Sequence, residues 1–184
     1  MKIVNLDGYT TNPGDLSWDW LGNYGEYKVY DRTAPEQIVE RAKGADILII
    51  NKSVITAQML ENLPNLKFVG LQSTGYNVID CKAARARNIT VSNIPAYSTT
   101  GVAQLVFAFI LQVADNVSLH SDAVHNGEWC ECPDFCFWKT PLTELDGKTI
   151  GIIGFGSIGR RVAQIANAFG TVSYTHLTLP TIRL

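Results

Sequence analysis

The chain has 184 residues, 46% of them hydrophobic and 17% charged, with a formal net charge of -2 and an isoelectric point near 5.9. These are the proportions of an ordinary globular protein of one or two domains. They supply no basic field, which argues against nucleic acid or an anionic membrane as partner. The opening MKIVNLDGYT reaches a carboxylate at Asp7 before any long apolar stretch, so no secretory leader is expected. The most apolar run, Val102 to Ala114, falls short of the roughly 20 residues that span a bilayer and contains Gln104 and Gln112, which predicts a buried helix. Cys81, Cys130, Cys132 and Cys136 then read as thiols of a cytoplasmic protein.

In chain order, β-rich runs stand at 2–7, 27–30, 46–51, 66–73 and 89–93. The stretches PEQIVERAKG, TAQMLENLPN and VIDCKAARARN between them have helical spacing. Thr33 and Glu36 fit a capping box with Pro35 in the first turn, and Gly44 is placed to end that helix. DILIIN and KFVGLQS are apolar at successive positions, as expected of parallel strands covered on both faces. The prediction is an α/β fold, a flavodoxin-like doubly wound sheet over 1–97. A long helix from Ser98 to about His120 and an irregular connector to 147 follow. At Lys148 a strand and a helix restart the pattern, TIGIIG and then SIGRRVAQIANAFG, and open a Rossmann dinucleotide-binding unit over 148–170.

The turn between them is Gly154-Phe155-Gly156-Ser157-Ile158-Gly159. The first glycine permits the tight turn, the second lets backbone approach a pyrophosphate, and the third lets helix pack close to strand. Free N–H groups from about Ser157 onward form an anion site that the helix dipole reinforces. A dinucleotide fold places an acidic residue on the ribose about 20 residues later. After Asp146 the chain has no acidic residue, so the motif alone leaves NAD and NADP both open.

The strings STGYNVID (73–80), NIPAYSTTGVAQLVFAFIL (93–111), NGEW (126–129), PDFCFW (133–138) and LDGKTIGIIGFGSIGRRVA (145–163) resemble the D-isomer-specific 2-hydroxyacid dehydrogenases. Within that family they are most similar to the glycerate dehydrogenases, or hydroxypyruvate reductases. The resemblance runs from Met1 to Gly170. It implies hydride transfer between NAD or NADP, with NAD favoured, and the 2-carbon of a small 2-keto or 2-hydroxy acid, in a homodimer.

It also implies that Ser73, Thr74 and Gly75, with Tyr76, offer backbone N–H groups to the substrate carboxylate. Read from the residues alone, the same loop is equally an ordinary βα turn. Lys52 would help neutralise that carboxylate, or be a solvated surface lysine. Tyr97 and Ser98 would touch substrate or nicotinamide, or be a packed aromatic and a helix cap. The family's catalytic arginine, histidine and glutamate lie beyond the glycine turn and have no counterpart in this chain; His176 falls too early and lacks an acidic partner. The chain therefore reads as part of a longer enzyme, inactive alone, with 171–184 as a foreign tail. The rival reading is a non-catalytic dinucleotide-sensing module of corepressor type.

Three further signals carry less. Cys130, Cys132 and Cys136 with His125 lack the spacing of a metal site, so none is expected. Asp7 ends the first strand where a phosphoacceptor would stand, but without the neighbouring carboxylates of that chemistry. Trp18, Trp20, Trp129 and Trp138 are expected to pack.

Overall fold

The computed structural model describes residues 1–175. Two compact units divide it, Met1–Pro95 and Ala96–Leu184. In the first unit, β1 (Lys2–Asn5), β2 (Glu26–Val29), β3 (Ile47–Ile50), β4 (Phe68–Leu71) and β5 (Thr90–Ser92) form one sheet. Its order is β2-β1-β3-β4-β5 and every pair is parallel. This is the flavodoxin-like order, whose switch point lies between β1 and β3. Helices α1 (Ile38–Ala42), α2 (Ala57–Glu61) and α3 (Cys81–Ala86) connect β2 through β5. All three crossovers run the same way across the sheet, so right-handed connection puts them on one face. Ile38, Ala42, Leu60 and Ala84 accordingly share a core with Val4, Leu6, Leu48, Ile50, Val69 and Leu71.

The cover by helices expected on both faces is found for one face only. Leu48, Ile50 and Val69 are buried, whereas Ile47, Ile49 and Phe68 on the opposite face are half-buried. That face receives the β1–β2 connection, which runs in the opposite direction across the sheet. Short 3-10 turns at Gly8–Thr10 and Asp19–Asn23 stand there in place of a helix, and Leu21 is the buried residue of the second.

The capping box is also corrected. Ala34 holds the cap position with no side-chain bond. Thr33 Oγ1 instead donates to the Leu6 carbonyl (2.8 Å) and accepts from Arg41 (3.0 Å), tying the segment to the strand rather than to its own helix. Pro35 does open the turn, and Gly44, at φ 75°, stands just past the end of α1. The working caps lie elsewhere: Thr56 accepts from Met59 N–H, and Asp80 from the N–H groups of Lys82 and Ala83.

The second unit contains α4 (Thr99–Asp115), α5 (Val117–His125), α6 (Glu128–Glu131), β6 (Thr149–Ile152), α7 (Ser157–Ala168) and β7 (Val172–Thr175). The long helix predicted to about His120 breaks at Asn116, which adopts a left-handed φ of 48°. The connector is less irregular than expected, since it holds α6. His120 spans it: Nδ1 bonds the Asn116 carbonyl and Nε2 accepts from Lys139 N–H, each at 3.0 Å, which requires the neutral Nδ1–H tautomer.

Ala103 and Phe107 of α4 pack on Val162 and Ala166 of α7, with Ile150 and Ile152 of β6 against them. The helix is not buried all round: Val102, Leu105, Phe109 and Val113 form an exposed apolar stripe. The described part of this unit covers one side of α4 alone. Among the described residues no single helix is long and apolar enough to cross a membrane. Trp20, Trp129 and Trp138 are about half exposed or more, against the expectation of packing; Trp129 still meets Phe137 with ring centroids 5.8 Å apart.

Residues 172–175, expected within a tail unrelated to the unit, form β7 in parallel register with β6 from Thr149↔Val172 to Ile152↔Thr175. The β-branched and aromatic composition of VSYT suits a strand. The remainder of that segment, 176–184, including His176, lies outside the described residues.

Two predictions follow from the first unit. Leu48 is wholly buried at the centre of the sheet, so Leu48→Ala should cost about 3 kcal/mol, read as a lower urea midpoint. Asp46 accepts from Lys67 Nζ at 2.8 Å and from Lys2 N–H at 2.9 Å, and the Lys67 bond, then that of Lys2, holds its carboxyl below its usual value. This lowered carboxyl contributes stability that is complete above about pH 4 and is lost as pH falls through the folded value. Asp46→Asn should flatten that stretch of the acid unfolding curve followed by circular dichroism.

Candidate functional site

In an open parallel sheet, ligands bind outside the carboxyl ends of the strands. In the first unit that edge is built from the loops after β1, β3, β4 and β5. The β1 loop supplies Asp7, which is 5% exposed. Its Oδ2 accepts from the N–H groups of Asn51 (2.7 Å), Lys52 (3.0 Å) and Ser53 (2.9 Å), and its Oδ1 from Ser53 Oγ (3.0 Å). Asn51 Nδ2 donates to Thr10 Oγ1 (2.8 Å), and that hydroxyl donates to the Asp7 carbonyl (2.8 Å). The β1 and β3 loops are thereby one piece.

The β3 and β4 loops run side by side. Gln72 N–H donates to the Ile50 carbonyl (2.8 Å), Ile55 N–H to Val78 (2.7 Å) and Asp80 N–H to Ile55 (3.1 Å). The β5 loop fastens the far side of Ser73–Tyr76. Ile94 N–H donates to the Ser73 carbonyl (3.1 Å), Thr74 Oγ1 to the Ile94 carbonyl (2.9 Å) and Asn93 Nδ2 to the Thr74 carbonyl (2.7 Å). Ser73 Oγ closes the turn on the Gly75 carbonyl at 2.8 Å.

These bonds use carbonyls and side chains and leave the amides open. Among the described residues the N–H groups of Ser73, Thr74, Gly75 and Tyr76 meet no protein acceptor. Lys52 is exposed in the neighbouring loop, and its ammonium makes no ion pair among the described residues. One expectation changes: the loop does not deliver a helix N-terminus. Helix α3 begins at Cys81, and Asp80 already caps its first amides. What this edge offers an anion is loop amides and one lysine.

The second unit carries the glycine turn. Gly154 stands at φ 92°, a conformation that favours glycine. A Cβ at Gly156 would meet nothing within 4 Å, so open space faces the turn, whereas one at Gly159 would lie 2.2 Å from the Gly154 carbonyl oxygen. These are the permissive turn, the open approach and the close helix–strand contact of a dinucleotide site. Helix α7 has no side-chain cap, which leaves the amides of Ser157, Ile158 and Gly159 directed at that space. A mainly apolar groove of ≈ 520 Å³ borders the turn, walled by Val106 and Ile110 of α4, Ile150 and Ile152 of β6 and Ile158 and Val162 of α7, with Gly154 and Gly159 at its rim. Phe155 is half-buried beside it. The residues present therefore fit a pyrophosphate.

Tyr97 and Ser98 belong to the second unit. Tyr97 is exposed. Ser98 holds the N-cap position of α4, where its carbonyl accepts from Val102 N–H (2.9 Å) and its side chain makes no capping bond. Sequence reasoning missed Asp7, Asn51, Ser53 and Asn93 as parts of the site. The signal for Asp7 is its place at a strand end; it has no neighbouring carboxylates to mark it as functional, and its partners are backbone groups far along the chain.

The family described as "D-isomer specific 2-hydroxyacid dehydrogenase, catalytic domain" matches residues 10–183. A hydroxypyruvate reductase of Blautia hydrogenotrophica is 47% identical over 173 residues, covering 92% of this chain and 54% of its own. A glycerate dehydrogenase of Methylorubrum extorquens is 38% identical over 146 residues, 79% of this chain and 46% of its own. Among solved structures, an acyclic imino acid reductase in complex with NADPH and D-Arg aligns with a TM-score of 0.71 and 32% identity, over 93% of this chain and 54% of that one. The chain thus spans about half the length of the curated relatives it matches. With the parallel sheet, the amide-lined carboxyl edge and the glycine turn, these matches establish that the chain belongs to the D-isomer-specific 2-hydroxyacid dehydrogenase family.

Proposed function

We propose that this sequence serves an NAD(P)-dependent oxidoreductase that reduces a small 2-keto acid, hydroxypyruvate or glyoxylate, to the D-2-hydroxy acid. The observation that carries the reading is the run of four open amides at Ser73–Tyr76 beside Lys52. A 2-keto acid presents a carboxylate next to the reacting carbonyl. An array of N–H donors with one cation grips that carboxylate and leaves the carbonyl free to react. The substrate class is supported by the names of the relatives, hydroxypyruvate reductase and glycerate dehydrogenase.

When bound, the nicotinamide dinucleotide supplies the hydride. This chain's part is to hold the cofactor's pyrophosphate on the amides of Ser157, Ile158 and Gly159 and to hold the substrate carboxylate on those of 73–76. Tyr97 and Ser98 are assigned to the neighbourhood of substrate and nicotinamide. The proton taken up by the carbonyl oxygen comes, by the family resemblance, from a histidine oriented by a glutamate beyond the glycine turn; no residue of 1–175 is assigned that step. NAD is favoured over NADP. A homodimer follows from the resemblance, and a cytoplasmic location is supported by four unpaired cysteines.

The test is an assay of the full-length protein carrying this sequence, with NADH and NADPH against hydroxypyruvate and glyoxylate. Turnover of at least one acid is expected, faster with NADH. Retained NADH binding without turnover of any 2-keto acid would replace the reading with a sensing module. Gly159→Val should weaken NADH binding by calorimetry at least about tenfold, since the new Cβ collides with backbone.

A further inference from the structure

We infer that Asp7 is the positioning residue for the substrate-facing lysine: its buried carboxylate sets the backbone of Asn51-Lys52-Ser53 and so aims Lys52 at the carboxylate cradle of Ser73–Tyr76. The inference rests on the substrate reading proposed above. It goes further by assigning a role to a residue that touches neither substrate nor cofactor.

Three successive backbone N–H groups converging on one oxygen form a nest, an arrangement suited to an anion. Here the anion is internal. Asp7 fills the nest from the adjacent strand, with Ser53 Oγ on its second oxygen. The middle amide of the three belongs to Lys52. Its Cα and the first bond of its side chain are therefore fixed by the carboxylate, while the ammonium stays in solvent. Lys52 lies two residues past the end of β3, where an unrestrained loop would let a long flexible side chain sample many directions. Burial of Asp7 and Ser53, each 5% exposed, keeps water from competing for these bonds.

The charge of Asp7 does not explain the arrangement by itself, because a carboxylate near an anion site opposes the ligand. Its service is geometric, and geometry separates two substitutions. Asp7→Asn can turn its amide oxygen to the three N–H groups and its NH2 to Ser53 Oγ, so it should preserve the loop. Asp7→Ala leaves all four donors without an acceptor.

The experiment uses the 184-residue chain with oxalate as the probe, following backbone amides by NMR and affinity by titration. In the unaltered chain oxalate should shift the amides of 73–76, and Lys52→Ala should weaken binding roughly threefold, the scale of an exposed ion pair. Asp7→Ala should weaken binding as much as Lys52→Ala, the double variant should be no weaker than either, and Asp7→Asn should bind within about twofold of the unaltered chain. Additive losses in the double variant, or an Asp7→Ala chain that binds normally, would overturn the inference.

If Asp7→Ala does not fold, Ser53→Ala carries the test. Faster hydrogen exchange at the Lys52 amide should come with weaker oxalate binding, and faster exchange with unchanged binding overturns the inference. If oxalate shifts 73–76 while Lys52→Ala binds normally, the positioning role falls and the cradle stands. If the unaltered chain shows no shift at 73–76, the substrate reading itself falls.

Discussion

In a parallel sheet every strand releases its chain at the same edge, and the amides and carbonyls of the first loop residues lose their ladder partners there together. A buried carboxylate at the end of β1 meets that demand for three amides and a hydroxyl of the β3 loop at once. An ionised carboxylate is an acceptor alone, with room for about four donors, so Asp7 suits a place where several N–H groups converge and no carbonyl needs a donor. Each charge-assisted bond is worth about 1.5–3 kcal/mol, and together they offset the cost of removing the carboxylate from water. Because β1 and β3 flank the switch point, that contact determines the shape of the edge where a ligand would sit.

The loops after β4 and β5 follow the opposite logic. Their carbonyls are consumed by Ile94 N–H, Thr74 Oγ1 and Asn93 Nδ2, while the amides of 73–76 are left over. One loop thus has its donors filled by an internal anion and its neighbour keeps its donors open. The second unit repeats the open form by another route, an uncapped helix start behind glycines. In both units the open donors are backbone, so a ligand held there would be read by negative charge and planarity more than by the identity of a side chain.

The fold was legible where a physical constraint acts locally. Runs of Ile, Leu and Val separated by helical spacing encode a parallel sheet, and Gly154, Gly156 and Gly159 encode a turn whose demands fall on those three positions. Misreadings arose where partners are distant in sequence. Thr33 and Glu36 have the letters of a capping box, but Leu6 and Arg41 compete for the Thr33 hydroxyl. Asn116 breaks the long helix by a left-handed turn that asparagine tolerates without advertising. Asp7 has no neighbouring carboxylates to mark it, and its partners are amides 44 to 46 positions away, which any residue type could supply.

This division bears on how substrate choice can arise. Substituting side chains at 73–76 leaves the amides in place, so under the proposed reading discrimination among 2-keto acids with a common carboxylate would come from side chains around the cradle. On that reading Lys52 and the Tyr76 side chain would be such groups, one held by its backbone through Asp7 and the other exposed at the end of the open amides. The constant element is then the backbone geometry and the variable element the side chains mounted on it. If the proposed reading holds, a fold built this way would accommodate a range of small acids while keeping the same grip on the atoms next to the reacting carbon.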